Sequence, residues 1–201
     1  MRDVRPAAVA GTFYPGNAAE LAVAVRECLA GTAAPVAPAA SPKALIVPHA
    51  GYVYSGPIAA GAYARLASLR STIRRVVILG PTHRVAVRGL ALPSARAFAT
   101  PLGDVEVDRE AVATLAGLRQ VVVSDSAHAL EHSLEVQLPF LQSVLDDFRI
   151  VPLAVGDASP GEVAEVLDRL WGGPETLVVV RSDLTHFHGY AQARKIAAVL
   201  Q

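Results

Sequence analysis

The chain has 201 residues and a formal net charge of zero, and 52% of its residues are hydrophobic. The balanced charge argues against non-specific binding to nucleic acid or to anionic membranes, and no apolar run is long enough to span a membrane. A single cysteine excludes an intramolecular disulfide and, with no secretory apolar segment at the start, predicts a cytoplasmic protein.

Hydrophobic periodicity predicts alternating helices and strands along the chain. The predicted helices cover about residues 18–30, 57–69, 108–117, 131–146, 159–171 and 190–200, and the predicted strands cover about 43–48, 75–80, 121–123, 150–155 and 176–180. Residues 84–107 are predicted to form short strands and turns. The alternation predicts one α/β domain over residues 1–201, a three-layer α/β/α sandwich with a largely parallel central sheet.

A histidine follows the first predicted strand directly. Pro48 cannot donate a hydrogen bond to a neighbouring strand, so strand pairing should stop there, and His49 is the next side chain. Gly51 and Gly56 allow a sharp turn, and Pro57 is typical of the first turn of a helix. Ligands of open α/β sheets usually bind at this edge, so His49 is a candidate metal ligand.

Two further strands carry chemically active side chains at the same kind of position. His83 follows the second predicted strand, and Asp183 and His186 follow the last one. If these strands are parallel neighbours, the four side chains converge on one edge of the sheet. Two imidazoles with a carboxylate suit non-haem Fe(II), and also zinc or copper. The alternative is that each histidine only caps its strand or bonds a backbone carbonyl.

A fourth cluster lies at the start of the predicted helix 131–146, in which Pro139 predicts a kink or a restart. His132 and Glu135 are three residues apart and would share one helix face, where one could ligate a metal and the other act as a base. The alternative is an ordinary first turn whose acidic residues favour the helix dipole. Tyr54 and Arg84 are further candidates for substrate contact, or they pack and form surface pairs.

Six stretches resemble those of the Memo family. They are Arg5–Pro15, Pro48–Gly56, Gly80–His83, Thr100–Gly103, Glu131–Pro139 and Ser182–His186, in that order along the chain. Prokaryotic members are called AmmeMemoRadiSam system protein B, and the family's fold is similar to that of class III extradiol dioxygenases, which cleave catechol rings with non-haem iron. The resemblance implies a single α/β/α domain with a metal cleft at the strand tips.

The resemblance also implies roles for individual residues. His49 and His83 match the family's two metal-ligand histidines, and His132, Asp183 and His186 match further positions of the cleft. The family's third ligand is a cysteine in a segment beyond the last residue of this chain, so the chain is expected to be shorter than its relatives and to lack that ligand.

Three functions are compatible with these observations. The first is a redox or dioxygenase-like enzyme that uses Fe(II) or copper on an unknown small molecule, with His132, Asp183 and His186 in catalysis and Tyr54, Arg84 and Glu135 in substrate contact. The second is a non-catalytic module that binds a peptide or a partner, with radical-SAM and AMMECR-like proteins as the partners that the resemblance implies. The third is a hydrolase with a metal-bound water, for which zinc is the usual ion.

Overall fold

The computed structural model describes residues 3–32, 41–182 and 189–199. The strands are β1 (Val4–Arg5), β2 (Ala44–Val47), β3 (Arg75–Pro81), β4 (Leu90–Leu92), β5 (Ala97–Thr100), β6 (Gly103–Glu106), β7 (Val121–Val123), β8 (Arg149–Val155) and β9 (Thr176–Arg181). The helices are α1 (Ala18–Ala30), α2 (Tyr52–Tyr63), α3 (Arg109–Ala113), α4 (Asp125–Ala129), α5 (Leu138–Val144), α6 (Pro160–Leu170) and α7 (Tyr190–Val199), with 3-10 helices at Ala64–Leu69 and Glu135–Gln137.

The larger sheet has six strands in the order β2-β9-β3-β8-β4-β7. Strands β2, β9, β3 and β8 are parallel to one another, β4 is antiparallel to β8, and β7 is parallel to β4. The predicted largely parallel sheet is therefore confirmed. Strand β9 lies between β2 and β3, so the three strands whose ends carry the candidate ligands are neighbours, as the sequence analysis required.

Both faces of this sheet are covered by helices, because its central strands are apolar on both sides. On one face, Ile78 and Val179 pack into a core that α1, α2 and α5 share. On the other face, Val77 and Val178 pack into a second core with α3 and α6. The three-layer arrangement follows from this alternation, since successive residues of a strand point to opposite faces. None of the described helices has the length and apolar character needed to cross a membrane.

Helix α2 begins earlier than the sequence predicted. It begins at Tyr52, so Pro57 lies inside the helix and not in its first turn. The carbonyl of Gly51 accepts hydrogen bonds from the N–H groups of Tyr54 and Ser55, which closes the first turn before the proline is reached. Pro57 has no N–H to donate to the carbonyl of Val53, four residues earlier in the helix. The helix tolerates this loss because both residues lie on its exposed side, where water can reach that carbonyl.

The prediction of a helix over residues 131–146 is wrong for the first part of that range. Residues 131–134 are not helical, a 3-10 turn follows, and α5 restarts with Pro139 in its first turn. The carboxylate of Glu131 accepts a hydrogen bond from the N–H of Ser133, and such local side-chain bonds compete with helix formation. His132 and Glu135 therefore do not share a helix face, and their side chains go to different places.

The lead-in before α1 joins a second, small sheet that the sequence analysis did not predict. Strand β1 pairs in parallel with β5, and β5 pairs with β6 as an antiparallel hairpin. A two-residue strand is too short to show a hydrophobic period, so its pairing is visible only in the tertiary structure.

Candidate metal centre

Three histidines meet at the carboxyl ends of the parallel strands. His49 follows β2, His83 follows β3, and His132 lies on the loop that leads to α5. One ring nitrogen from each lies within 4.8 Å of those of the other two. The ring centroids of His49 and His83 are 5.1 Å apart, and those of His83 and His132 are 4.5 Å apart with the rings stacked. The predicted meeting of the first two histidines is confirmed, and His132 joins them.

His49 is the most buried member of this cluster, with 5% of its surface exposed. The backbone before it is held by Arg181 at the end of β9, whose guanidinium donates to the carbonyl of Val47 at 3.3 Å and to that of Pro48 at 2.5 Å. The backbone after it is held by a hydrogen bond of 2.8 Å from the N–H of Tyr52 to the carbonyl of Phe13. Contacts from two other parts of the chain therefore fix the turn that presents His49.

The loop that carries His132 packs directly on the end of β3. A Cβ added at Gly80 would lie 2.6 Å from Oγ of Ser133, so only glycine allows this approach. The Ser133 hydroxyl donates to the carbonyl of Pro81 at 3.0 Å. This close packing brings His132 and His83 together although 49 positions of sequence separate them.

Glu131 lies behind His83 and His132 and is almost completely buried. One carboxylate oxygen accepts the backbone N–H of His83 at 2.7 Å, and the other lies 2.8 Å from Nδ1 of the same histidine. The second oxygen also accepts the N–H of Ser133 at 2.8 Å. Burial alone raises the pKa of this carboxyl, but the hydrogen bonds from Ser133 and His83 outweigh it and hold the pKa below its ordinary value.

The environment of His132 favours the neutral form of its imidazole. Its ring packs against Phe13 with centroids 4.7 Å apart. Burial lowers the pKa of His132; Glu131 opposes this shift, and His83, Arg84 and Arg181 add to it. Neutral imidazole is the form that ligates a metal, so the histidine is ready to bind without first losing a proton.

The donor set fits a transition metal that accepts nitrogen ligands. Three neutral imidazoles with an open further position are a known catalytic zinc set, and Fe(II) and copper also bind imidazole. Around a tetrahedral ion with bonds of about 2.1 Å the nitrogens are about 3.4 Å apart, so the rings must turn slightly inward on binding. His83 has room to turn, since 32% of its side chain is exposed.

Glu135 lies in the interior and not in the cleft. Its carboxylate binds a segment that we call the N-terminal strap, residues 5–14. It accepts hydrogen bonds from the Arg5 guanidinium, from the N–H groups of Ala8 and Val9, and from the Tyr14 hydroxyl at 2.5 Å. No part of the Glu135 side chain is exposed. The sequence predicts Glu135 as a substrate contact, but in the structure its carboxylate binds the N-terminal strap. Glu135 therefore supports the cleft from the interior of the protein.

Two other predicted site residues are exposed, and two lie outside the described part of the chain. Tyr54 is 82% exposed on α2, and Arg84 is exposed directly after His83. Asp183 and His186 lie outside the described residues, so their catalytic roles stay predictions. A cavity of about 520 Å³ opens beside the histidines. Its apolar wall consists of Leu79, Val155, Val163 and Val180.

Two contributors to the site were not singled out from the sequence. Glu131 stands directly before His132, at a position where an acidic residue is also typical of the first turn of a helix. Phe13 lies in the lead-in, far from every histidine in sequence. Ligating histidines commonly bond a carboxylate through their second nitrogen. The position of Glu131 beside His132 was therefore the one signal in the sequence that this glutamate belongs to the site.

Comparison with known proteins places the chain in a family. The family model for Memo-like protein matches residues 5–198. The chain is 42% identical over 200 residues to a MEMO1 family protein of Ignicoccus hospitalis, a match that covers 92% of this chain and 69% of the relative. It is 40% identical over 211 residues to one of Methanopyrus kandleri, covering 95% and 72%, and 38% identical over 202 residues to one of Aquifex aeolicus, covering 98% and 73%. This chain, with its three histidines at the strand tips, belongs to the Memo family.

Proposed function

We propose that the chain binds Fe(II) or copper through His49, His83 and His132 and uses the ion in a redox, dioxygenase-like reaction on a small molecule. The observation that carries the proposal is the meeting of three imidazoles from separate parts of the chain within 4.8 Å. Imidazole is a common ligand of both metals, and an ion bound there would supply one-electron and O₂ chemistry.

The residues around the cluster support this function in two ways. The apolar wall of the cavity can hold the body of a small molecule and exclude water from the reacting atoms. Tyr54 and Arg84 remain the proposed substrate contacts, with the Arg84 guanidinium suited to an anionic group. Asp183 and His186 remain proposed catalytic residues, and the family resemblance implies that both belong to the cleft.

Two other functions each have one observation in their favour. Three histidines with an open position are also a catalytic zinc set that activates a bound water, which favours a hydrolase. Val53, Tyr54 and Ile58 are 90%, 82% and 69% exposed on α2, the helix that follows His49, which favours a module that binds a peptide or a partner protein. Radical-SAM and AMMECR-like proteins are the partners that the resemblance implies.

The test is elemental analysis of the chain purified without added metal. We expect iron or copper near one equivalent in the parent and loss of at least tenfold in the double variant His49→Ala/His83→Ala, because each variant position removes a ligand. His128→Gln is the matched control, since it removes a histidine outside the cluster and should leave the metal content unchanged.

Each alternative outcome has a defined meaning. Equal metal content in the parent and the double variant would refute the centre. Zinc together with ester or amide hydrolysis would favour the hydrolase. A parent without metal that captures a peptide would favour the binding module.

A further inference from the structure

We propose that Glu131 is the positioning residue of this centre, a buried carboxylate that orients His83, and with it His132, toward a metal ion. The inference rests on the proposed metal centre and adds a residue and a role to it. Glu131 is not placed among the ligands, because its oxygens already face hydrogen-bond donors of the protein.

The contacts of Glu131 with His83 fix both the backbone and the ring of that histidine. One carboxylate oxygen holds the backbone N–H at 2.7 Å, and the other faces Nδ1 at 2.8 Å. A carboxylate at this position makes Nδ1 the protonated nitrogen, which leaves the lone pair on Nε2. His83 is therefore prepared to ligate through Nε2, although nearly a third of its side chain is exposed and would otherwise turn freely.

The same carboxylate oxygen also faces His132. Its distance to Nδ1 of His132 is 3.5 Å, and the rings of His83 and His132 stack with an interplanar angle of 29°. A small rotation of His132 would bring its Nδ1 within hydrogen-bond distance. One oxygen would then set the tautomer of both imidazoles and leave both Nε2 atoms for the metal.

Glu131 is itself held firmly. Arg5 of the N-terminal strap donates to the carbonyl of Glu131 at 2.6 Å and to that of His128 at 2.8 Å. The next residues are held by the bond of Ser133 to Pro81. Because the backbone on both sides is fixed, the carboxylate keeps its place when the histidines adjust to an ion.

The charge of Glu131 also points to a cation. The hydrogen bonds described for its carboxylate come from backbone N–H groups and an imidazole, with no Lys or Arg among these donors. These hydrogen bonds stabilise the carboxylate but bring no positive charge of their own from Lys or Arg. A divalent ion held by the two neighbouring histidines would be attracted to that negative charge.

A purely structural role is the competing explanation, since Glu131 also ties the loop after β3 to the loop before α5. Asp108 offers a matched control for it. Asp108 is also a buried carboxylate, bonded to the N–H of Ala111 at 2.9 Å and to Arg75 at 2.7 Å. Arg75 begins β3, so Asp108 lies at the edge of the sheet opposite His83.

The experiment is a titration of the metal-free chain with Co²⁺, whose visible absorption reports both affinity and ligand geometry. We expect Glu131→Gln to weaken Co²⁺ binding about 10- to 100-fold and to change the spectrum at saturation. Asp108→Asn should leave both unchanged although it lowers stability. Glu131→Asp keeps the charge on a shorter side chain and should give an intermediate affinity, which also provides the test if Glu131→Gln does not fold.

Two results would overturn the inference, and they are distinguishable. If the parent binds Co²⁺ and the Glu131 variants match it in affinity and spectrum, Glu131 is not a positioning residue and the centre still stands. If the parent binds no Co²⁺, or His49→Ala binds it equally well, the proposed centre fails and the role of Glu131 fails with it.

Discussion

At the scale of single residues, the described histidines divide into two kinds. His49, His83 and His132 share a cluster at the strand tips. His128 lies apart from them and is almost completely buried, with Nε2 at 2.9 Å from the carbonyl of Ala91. That contact places the proton on Nε2, and Nδ1 has no hydrogen-bond partner among the described residues. These contacts give His128 a structural role in the interior of the protein.

The burial of His128 predicts a pH-dependent stability. Burial, partly opposed by the bond to Ala91, lowers the pKa of His128 from 6.5 to about 4. Between these two pH values the unfolded state binds a proton that the folded state does not, so stability falls as the pH drops from 6.5 towards 4. We expect this residue to account for a loss of about 2 kcal/mol between pH 7 and pH 5.

The measurement is urea unfolding of the parent and of His128→Gln at both pH values. Carboxylates with lowered pKa also titrate, but they contribute equally to both proteins. The difference between the two pH slopes therefore isolates the histidine, and parallel slopes would contradict the prediction.

At the scale of elements, the N-terminal strap supports the cleft although it carries no candidate ligand. Its Arg5 is paired with Glu135 inside the protein, where the two side chains are 5% and 0% exposed. The ring of Phe13, also in the strap, packs against the ring of His132. The carbonyl of Phe13 accepts a hydrogen bond from the N–H of Tyr52 at the start of α2. The strap therefore connects the loop before α5 to the turn that presents His49.

The buried pair of Arg5 and Glu135 predicts a large effect of removing one partner. Arg5→Met leaves the carboxylate buried without its compensating charge, and we expect a loss of about 3–5 kcal/mol in the free energy of unfolding. Denaturant unfolding at pH 7 measures it.

Arg70→Met is the control, because Arg70 pairs with Asp146 at the surface, where the side chains are 51% and 48% exposed. Its loss should cost at most about 1 kcal/mol. Equal effects of the two substitutions would show that the strap is not held by a buried ion pair.

At the scale of the whole molecule, the cleft is assembled from parts of the chain that are distant in sequence. Strands β2 and β3 and the loop before α5 each bring one histidine. In the unfolded chain these residues are far apart, so a metal ion that needs all three binds the folded state preferentially.

This preference predicts that metal stabilises the fold. At a free Co²⁺ concentration of about 100 times the dissociation constant, we expect the free energy of unfolding to rise by about 2.7 kcal/mol. Thermal unfolding followed by circular dichroism, with and without Co²⁺, measures it. The double variant His49→Ala/His83→Ala should show no increase, and an equal increase in that variant would place the binding elsewhere.

Much of the fold could be predicted from the sequence because its signals are local. Apolar runs such as Arg75–Pro81 have the composition of strands buried on both faces, and Ser159 with Glu162 forms a capping box at the start of α6. Pro139 restarts a helix, which is one of the two outcomes that the sequence predicts for it. Pro57 was harder to interpret, because contacts of the neighbouring residues begin that helix before the proline.

The sequence by itself determined the α/β class and the placement of His49 and His83 at strand tips, because hydrophobic period and strand parallelism bring such residues to one edge. Only the tertiary structure decided that His132 joins them, that Glu131 faces His83, and that Glu135 turns inward to Arg5. These three outcomes depend on how one loop packs against the end of β3 and against a strap more than a hundred residues away. Packing over such separations leaves no period in the sequence.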